Sequence, residues 1–150
     1  MKKIIFMGAI GCGKTTLCQA LRGEEIKYNK TQAVSFYPEM IDTPGEFILH
    51  RSYYSALTVT AADARIIGLV QSVTEQEQVF SPGFGSIFPK KIIGIITKSD
   101  LAQNQAIIDR IAEQLKAAGA QRIFVISALN DQGIKELSKY LEEEQDENIH

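Results

Sequence analysis

Residues 2–21 read KKIIFMGAIGCGKTTLCQAL, and this stretch decides the fold. The apolar residues Ile4, Ile5, Phe6 and Met7 form a run short enough for a buried strand, and it stops at Gly8. Residues 14–22 place Leu17, Cys18 and Leu21 at helical spacing, so a helix follows with those three side chains inward. Between them, Gly8, Gly13, Lys14 and Thr15 satisfy G-x-x-x-x-G-K-[ST]. That pattern arises by chance in about one in a few hundred chains of this length. A strand, a glycine-bearing loop and a helix in this order make an anion cradle: backbone N–H groups surround phosphates, and the helix N-terminus adds partial positive charge. The phosphate contacts are therefore assigned to Gly8, Ala9, Ile10, Gly11, Cys12, Gly13, Lys14, Thr15 and Thr16. Lys14 is expected to reach the β- and γ-phosphates and to act in catalysis, and the Thr15 hydroxyl to ligate Mg²⁺. Ile10 adds bulk where a partner's arginine would have to approach the γ-phosphate. Cys12 stands inside the loop, where either a lowered thiol pKa or a passive packing role is open to it.

Outward from this loop, apolar runs alternate with helical patterns to the end of the chain, which predicts an α/β protein with a mostly parallel sheet. Runs at 66–70, 92–96 and 123–126 read as buried strands, and AVSFYPEMI at 33–41 as two short strands around Pro38. Helices are predicted at 46–62, at 103–118 with Gly119 as C-cap, and at about 134–144, and the whole chain is read as about six strands and five helical segments, four of which, with 14–22, have assigned bounds.

Three further motifs fall where such a sheet presents ligands. Asp42-Thr43-Pro44-Gly45-Glu46 has the D-x-x-G form, with Asp42 a Mg²⁺-linked carboxylate and Gly45 an N–H donor to the γ-phosphate. Thr31 is the candidate second hydroxyl on the metal. Thr97-Lys98-Ser99-Asp100 follows the strand at 92–96, at the carboxyl end where open α/β sheets bind ligands. An aspartate there accepts from the N1–H and N2–H₂ of guanine, whereas adenine has an acceptor at N1 and no amino group at C2, so Asp100 favours guanine. Ser127-Ala128-Leu129, ending the last strand, can offer a backbone N–H to the guanine O6.

Composition narrows the partners. With 150 residues and 45% hydrophobic content the chain is about one domain long. A net charge of −2 gives no basic excess for nucleic acid or an anionic membrane. The acids are uneven: residues 142–150 carry five of them and no Lys or Arg, which leaves +3 on residues 1–141. Residues 1–141 are thus read as the nucleotide-binding domain and 142–150 as an acidic tail. Cys12 and Cys18 do not form a secreted disulfide framework, the N-terminal apolar run is too short for a signal peptide, and no run reaches membrane-spanning length, so a cytoplasmic location is expected.

Taken in order, GAIGCGKT, Thr31, DTPGE, TKSD and SAL resemble the motifs of small Ras-like GTPases over residues 3–141. GxxGCGKTTL, KTQAV and IDTPGE resemble more closely the EutP/PduV family of ethanolamine and propanediol utilisation. The resemblance implies a Ras-like P-loop NTPase fold, three layers α/β/α on a mostly parallel six-stranded sheet ordered 2-3-1-4-5-6, GTP or GDP with Mg²⁺ as ligands, and association with bacterial microcompartment metabolism. Two departures stand out. Thr97 replaces the more frequent Asn, which relaxes the expected base selectivity and leaves ATP open. Glu46 replaces the usual water-orienting Gln, which predicts slow basal hydrolysis or a general-base role. Three readings follow: a GTPase switch acting through a metabolic or microcompartment partner, a phosphotransferase to a small carboxylate such as acetate with His50 or Arg51 near the acceptor, and a scaffold that binds nucleotide without hydrolysing it. FSPGFGSIFP at 80–89 offers either an apolar partner surface or a segment folded onto its own core.

Overall fold

In the computed structural model the described residues are 2–9, 11–29, 36–42, 58–59, 61–75 and 78–146. Their elements run β1 (Lys2–Gly8), α1 (Lys14–Asn29), β2 (Phe36–Asp42), β3 (Ala64–Ser72), β4 (Lys91–Thr97), α2 (Gln105–Ala118), β5 (Arg122–Val125) and α3 (Ile134–Asp146), with short 3-10 turns at Phe84–Ile87 and Ser99–Leu101. The five strands form one parallel sheet in the order β2-β1-β3-β4-β5. Strand order reverses between β1 and β3, and it is there, outside the carboxyl ends, that open sheets of this kind leave a crevice.

Alternating residues of each strand feed two separate cores, which is why the runs are apolar without interruption. Ile5, Met7, Ile67, Leu69, Ile92 and Ile96 meet Ile111, Leu115 and Ala118 of α2 on one face. Ile4, Phe6, Ile66, Val70, Ile93 and Ile95 meet Leu17 and Leu21 of α1 and Ile134, Leu137 and Leu141 of α3 on the other. The result is the three-layer α/β/α arrangement expected from the motifs.

Several boundaries differ from the sequence reading. In place of two short strands around Pro38, one strand runs unbroken from Phe36 to Asp42, with Pro38 in register with Ile4. The strand is the outermost of those described, and proline's missing N–H costs a ladder bond only where it would have faced the neighbour. Five strands are found among the described residues rather than six, and their order is the expected one with its outermost strand left off. The first helix continues through Gly23 to Asn29 rather than ending at 22. A glycine there costs only about 1 kcal/mol against alanine, too little to stop a helix by itself. The α2 N-cap is Asn104, whose side chain accepts from the Ile107 N–H at 3.1 Å, and Gly119 closes the helix at φ 122° as predicted. Most of the helix expected at 46–62 lies outside the described residues.

The segment at 80–89 belongs to the core. Phe80, Phe84 and Phe88 are all buried, with ring centroids 5.3 and 5.8 Å apart in succession, and join the α2 face of the sheet. The apolar partner surface is thereby excluded in favour of the folded-back alternative. Aromatic rings of this size hold more burial energy against their own core than a solvent-facing loop could retain.

Candidate functional site

The phosphate-loop motif occupies the turn between β1 and α1, at the strand-order reversal. Gly8 ends β1 in a position no other residue could fill, since a Cβ there would lie 2.6 Å from both Cys12 Sγ and Val70 O. Gly11 and Gly13 take φ of 85° and 98°, the left-handed region that lets the loop curl. The curl is closed by Cys12 N–H donating to Ala9 O at 3.1 Å. Lys14 folds back into it: its Nζ donates to Gly8 O at 2.7 Å and Ala9 O at 3.0 Å, and lies 3.7 Å from Cys12 Sγ. The lysine is buried at 6% exposure, so its charge is held by loop carbonyls rather than by water.

Two side chains from the end of β4 grip the same loop. Thr97 Oγ1 donates to Cys12 O at 2.5 Å, and Lys98 Nζ donates to Gly11 O at 2.9 Å. Lys98 adopts φ 57°, a conformation uncommon for a residue with a side chain, and sits as the N-cap of the 3-10 turn that carries Asp100. Asp100 in turn accepts from Ser127 Oγ at 2.8 Å, so a residue two positions beyond β5 braces the carboxylate presented after β4. The Ser127 N–H itself donates to Gln132 O at 2.9 Å, and the Asn130 N–H donates to Ser127 Oγ at 3.2 Å. Gly13, Thr16, Thr97, Lys98, Asp100, Ala128 and Leu129 surround a single pocket of about 160 Å³, floored by Leu17 and Ile126.

Of the base-site candidates, Thr97, Lys98, Asp100, Ala128 and Leu129 fall around one opening that shares Gly13 with the phosphate loop, while Ser127 is fully buried behind Asp100 and does not line it. Leu17 and Ile126 were not assigned from sequence. Both look like ordinary core residues there, and only the convergence of α1 with the end of β5 shows them to be a floor. Leu129, by contrast, is 83% exposed at the rim.

Thr15 points away from this pocket. Its Oγ1 lies 3.7 Å from Met40 Sδ on β2, two residues before Asp42, and Asp42 pairs in register with Gly8. A hydroxyl at a helix N-terminus and a carboxylate-bearing residue at the adjacent strand end are the hard oxygen donors that suit Mg²⁺. The residues present therefore fit that ion. Ile10, Thr31, Gly45, Glu46, His50 and Arg51 lie outside the described residues.

A second recess, of about 130 Å³, opens on the other side of the loop beside Ala9, Gly11 and Cys12. Gln71, Ser72, Thr74 and Glu75 line it, with Ser72 Oγ 2.7 Å from Thr74 Oγ1 and accepting from the Thr74 N–H at 3.1 Å. The sequence reading ended the strand at residue 70 and passed over these residues. The usable signal was a polar Gln-Ser pair directly continuing an apolar strand at its carboxyl end.

The loop cysteine is a packing residue. Burial pushes the Cys12 thiol above its ordinary value, and the nearby Lys14 ammonium only partly offsets this. Burial likewise pushes Cys18 up to about 11, again against a smaller effect of Lys14. Both thiols are therefore protonated at neutral pH, and alkylation by iodoacetamide at pH 7.5 is expected to run at least about tenfold slower than for free cysteine. A raised folded-state value means that the contribution to stability is complete below about pH 9 and fades as pH rises toward 11. Thermal melting across that window should fall less steeply in Cys18→Ala than in the unaltered protein.

Among the described residues, no helix is long and apolar enough to cross a membrane.

Residues 1–143 match the family PduV-EutP, described as ethanolamine utilisation - propanediol utilisation. The chain is 44% identical over 141 residues to "Propanediol utilization protein PduV" of Citrobacter freundii, covering 94% of this chain and 93% of that one. It is 36% identical over 144 residues to "Probable acetate kinase EutP" of Salmonella typhimurium, covering 94% and 89%. Among solved structures it resembles translation elongation factor SelB from Methanococcus maripaludis in complex with the GTP analogue GppNHp. There the TM-score is 0.62 at 21% identity, with 97% of this chain and 34% of that chain covered, a likeness of fold.

Proposed function

The chain belongs to the PduV-EutP family of ethanolamine and propanediol utilisation, and from that premise we propose that it is a Mg²⁺-dependent guanine-nucleotide-binding protein that hydrolyses GTP slowly. The observation that carries this reading is the shared wall: Thr97 and Lys98 tie the loop around Lys14 to the pocket that displays Asp100. A molecule filling both must join a polyphosphate to a flat group with donors on one edge, which describes GTP or GDP. The Asp100 carboxylate, held by Ser127, takes the N1–H and N2–H₂ of the base. Because the Ser127 N–H is committed to Gln132, the amide for O6 comes from Ala128 or Leu129. Backbone N–H groups of the loop and first helical turn, with Lys14, take the phosphates. Mg²⁺, when bound, would be held by Thr15 and Asp42 with Thr31 and would neutralise phosphate charge. Glu46 and Gly45 complete the γ-phosphate side, Glu46 as the residue that limits hydrolysis. The nucleotide-binding unit spans residues 1–141, and the acidic stretch 142–150 begins within α3, which runs to Asp146. We place the protein in the cytoplasm, acting through a metabolic or microcompartment partner.

One observation favours a second reading, phosphoryl transfer to a small carboxylate, the activity that the name of the relative "Probable acetate kinase EutP" suggests for that protein. The recess beside Ala9 and Gly11 offers the Gln71 amide and one hydroxyl proton of the Ser72–Thr74 pair as donors, the other proton being spent within the pair. Glu75 on the same wall opposes an anion, and those donors would have to offset it. Incubation with GTP or ATP and Mg²⁺, with and without acetate, separates the readings. Slow phosphate release from GTP, unchanged by acetate and altered in Glu46→Gln, is the expected result. Acetyl phosphate formation would establish the transferase instead, and tight binding with no turnover would establish a scaffold.

A further inference from the structure

Thr97 is the last residue of β4, 4% exposed, and its hydroxyl lies 2.5 Å from the carbonyl oxygen of Cys12. A carbonyl can only accept, and a hydroxyl has one proton, so that proton is fixed in the bond between the base pocket and the phosphate loop. The Thr97 oxygen is left as an acceptor only. The purine N7 is an acceptor too, in guanine and adenine alike. With N7 turned toward the end of β4, the Thr97 oxygen would meet it as a second acceptor and form no hydrogen bond. The neighbouring Lys98 directs its ammonium at Gly11 O, also on the loop.

Resting on the reading that this pocket receives the base, with N7 toward the end of β4, we propose that neither Thr97 nor Lys98 reads the purine N7. Thr97 is a positioning residue that fixes the loop, and recognition of the base is confined to the edge carrying N1, N2 and O6. An asparagine in its place would have two amide protons and could hold the loop carbonyl and N7 together. A consequence reverses the expectation drawn from sequence. Because N7 is the same in both purines, losing its contact weakens purine binding generally and leaves the preference for guanine over adenine intact.

7-Deaza-GDP replaces N7 by C–H and keeps N1, N2 and O6, so it isolates this atom. Competition of GDP, 7-deaza-GDP and ADP against a fluorescent guanine nucleotide on the unaltered chain is the test. GDP and 7-deaza-GDP are expected to bind within about twofold of each other, since a neutral hydrogen bond would separate them by up to about tenfold. In Thr97→Asn, GDP should gain up to about tenfold while 7-deaza-GDP does not follow, the size of one such bond. In Thr97→Val the tie to Cys12 is lost, and both nucleotides should weaken by the same factor. A preference of the unaltered protein for GDP over 7-deaza-GDP of about fivefold or more, the work of one hydrogen bond, would overturn the proposal. Failure of both guanine nucleotides to compete, or ADP competing as well as GDP, would instead overturn the assignment of the pocket on which it rests.

Discussion

Lys14→Ala is expected to lose about a hundredfold or more in affinity for GTP, because a hydrogen bond to a charged group contributes about 1.5–3 kcal/mol and the ammonium can give several. GDP should lose less, since it lacks the γ-phosphate that the lysine is placed to meet. The substitution acts on the empty protein as well. Lys14 Nζ caps the carbonyls of Gly8 and Ala9, and Gly8 is buried, so removing the side chain strands an acceptor at a cost of about 1–3 kcal/mol. In a chain of this size each kcal/mol lowers the melting temperature by about 2–4 °C. Displacement of a fluorescent nucleotide and thermal melting read the two effects separately. Undiminished GTP affinity in a folded Lys14→Ala protein would remove the loop from the mechanism.

Asp100→Asn should lower affinity for GDP by about 10²–10³, since two hydrogen bonds to a carboxylate, each about 1.5–3 kcal/mol, give way to one neutral bond and one opposed pair of donors. Xanthine nucleotides should gain, because xanthine presents an acceptor at C2 to the new amide. Ser127 can still donate to the asparagine oxygen, and Asp100 is exposed, so the melting temperature should scarcely change. Competition between GDP and XDP measures the exchange. Equal loss of both nucleotides would mean that Asp100 shapes the turn rather than reading the base.

Residue patterns alone reached the strand, loop and helix around Gly8–Lys14, because a phosphate cradle needs glycine at fixed places and four apolar residues in a row admit few other readings. They reached the three inner strands for the same reason: strands covered on both faces are apolar throughout, and Ile66–Val70 and Ile92–Ile96 are. They did not settle the stretch at 80–89. Three phenylalanines among glycine and proline suit a sticky loop as well as a buried one, and only Ile92, Leu115 and Ala118 coming to meet them decides it. Pro38 misled because the rule against proline in strands concerns neighbours on both sides. Thr97 was legible as a departure, yet its role was not, since a sequence does not reveal which acceptor takes a hydroxyl proton.

The Thr97 and Lys98 contacts make the loop carbonyls of Cys12 and Gly11 part of the base pocket's own frame. On the proposed reading, base and phosphate are then not two independent handles on the nucleotide. Whatever shifts the loop shifts the carboxylate's aim, and by reciprocity any free energy that base contact lends to phosphate binding is returned in equal measure in the other direction. A protein built this way would weigh its ligand as a whole, and a fragment carrying only one end would meet a frame adjusted for both.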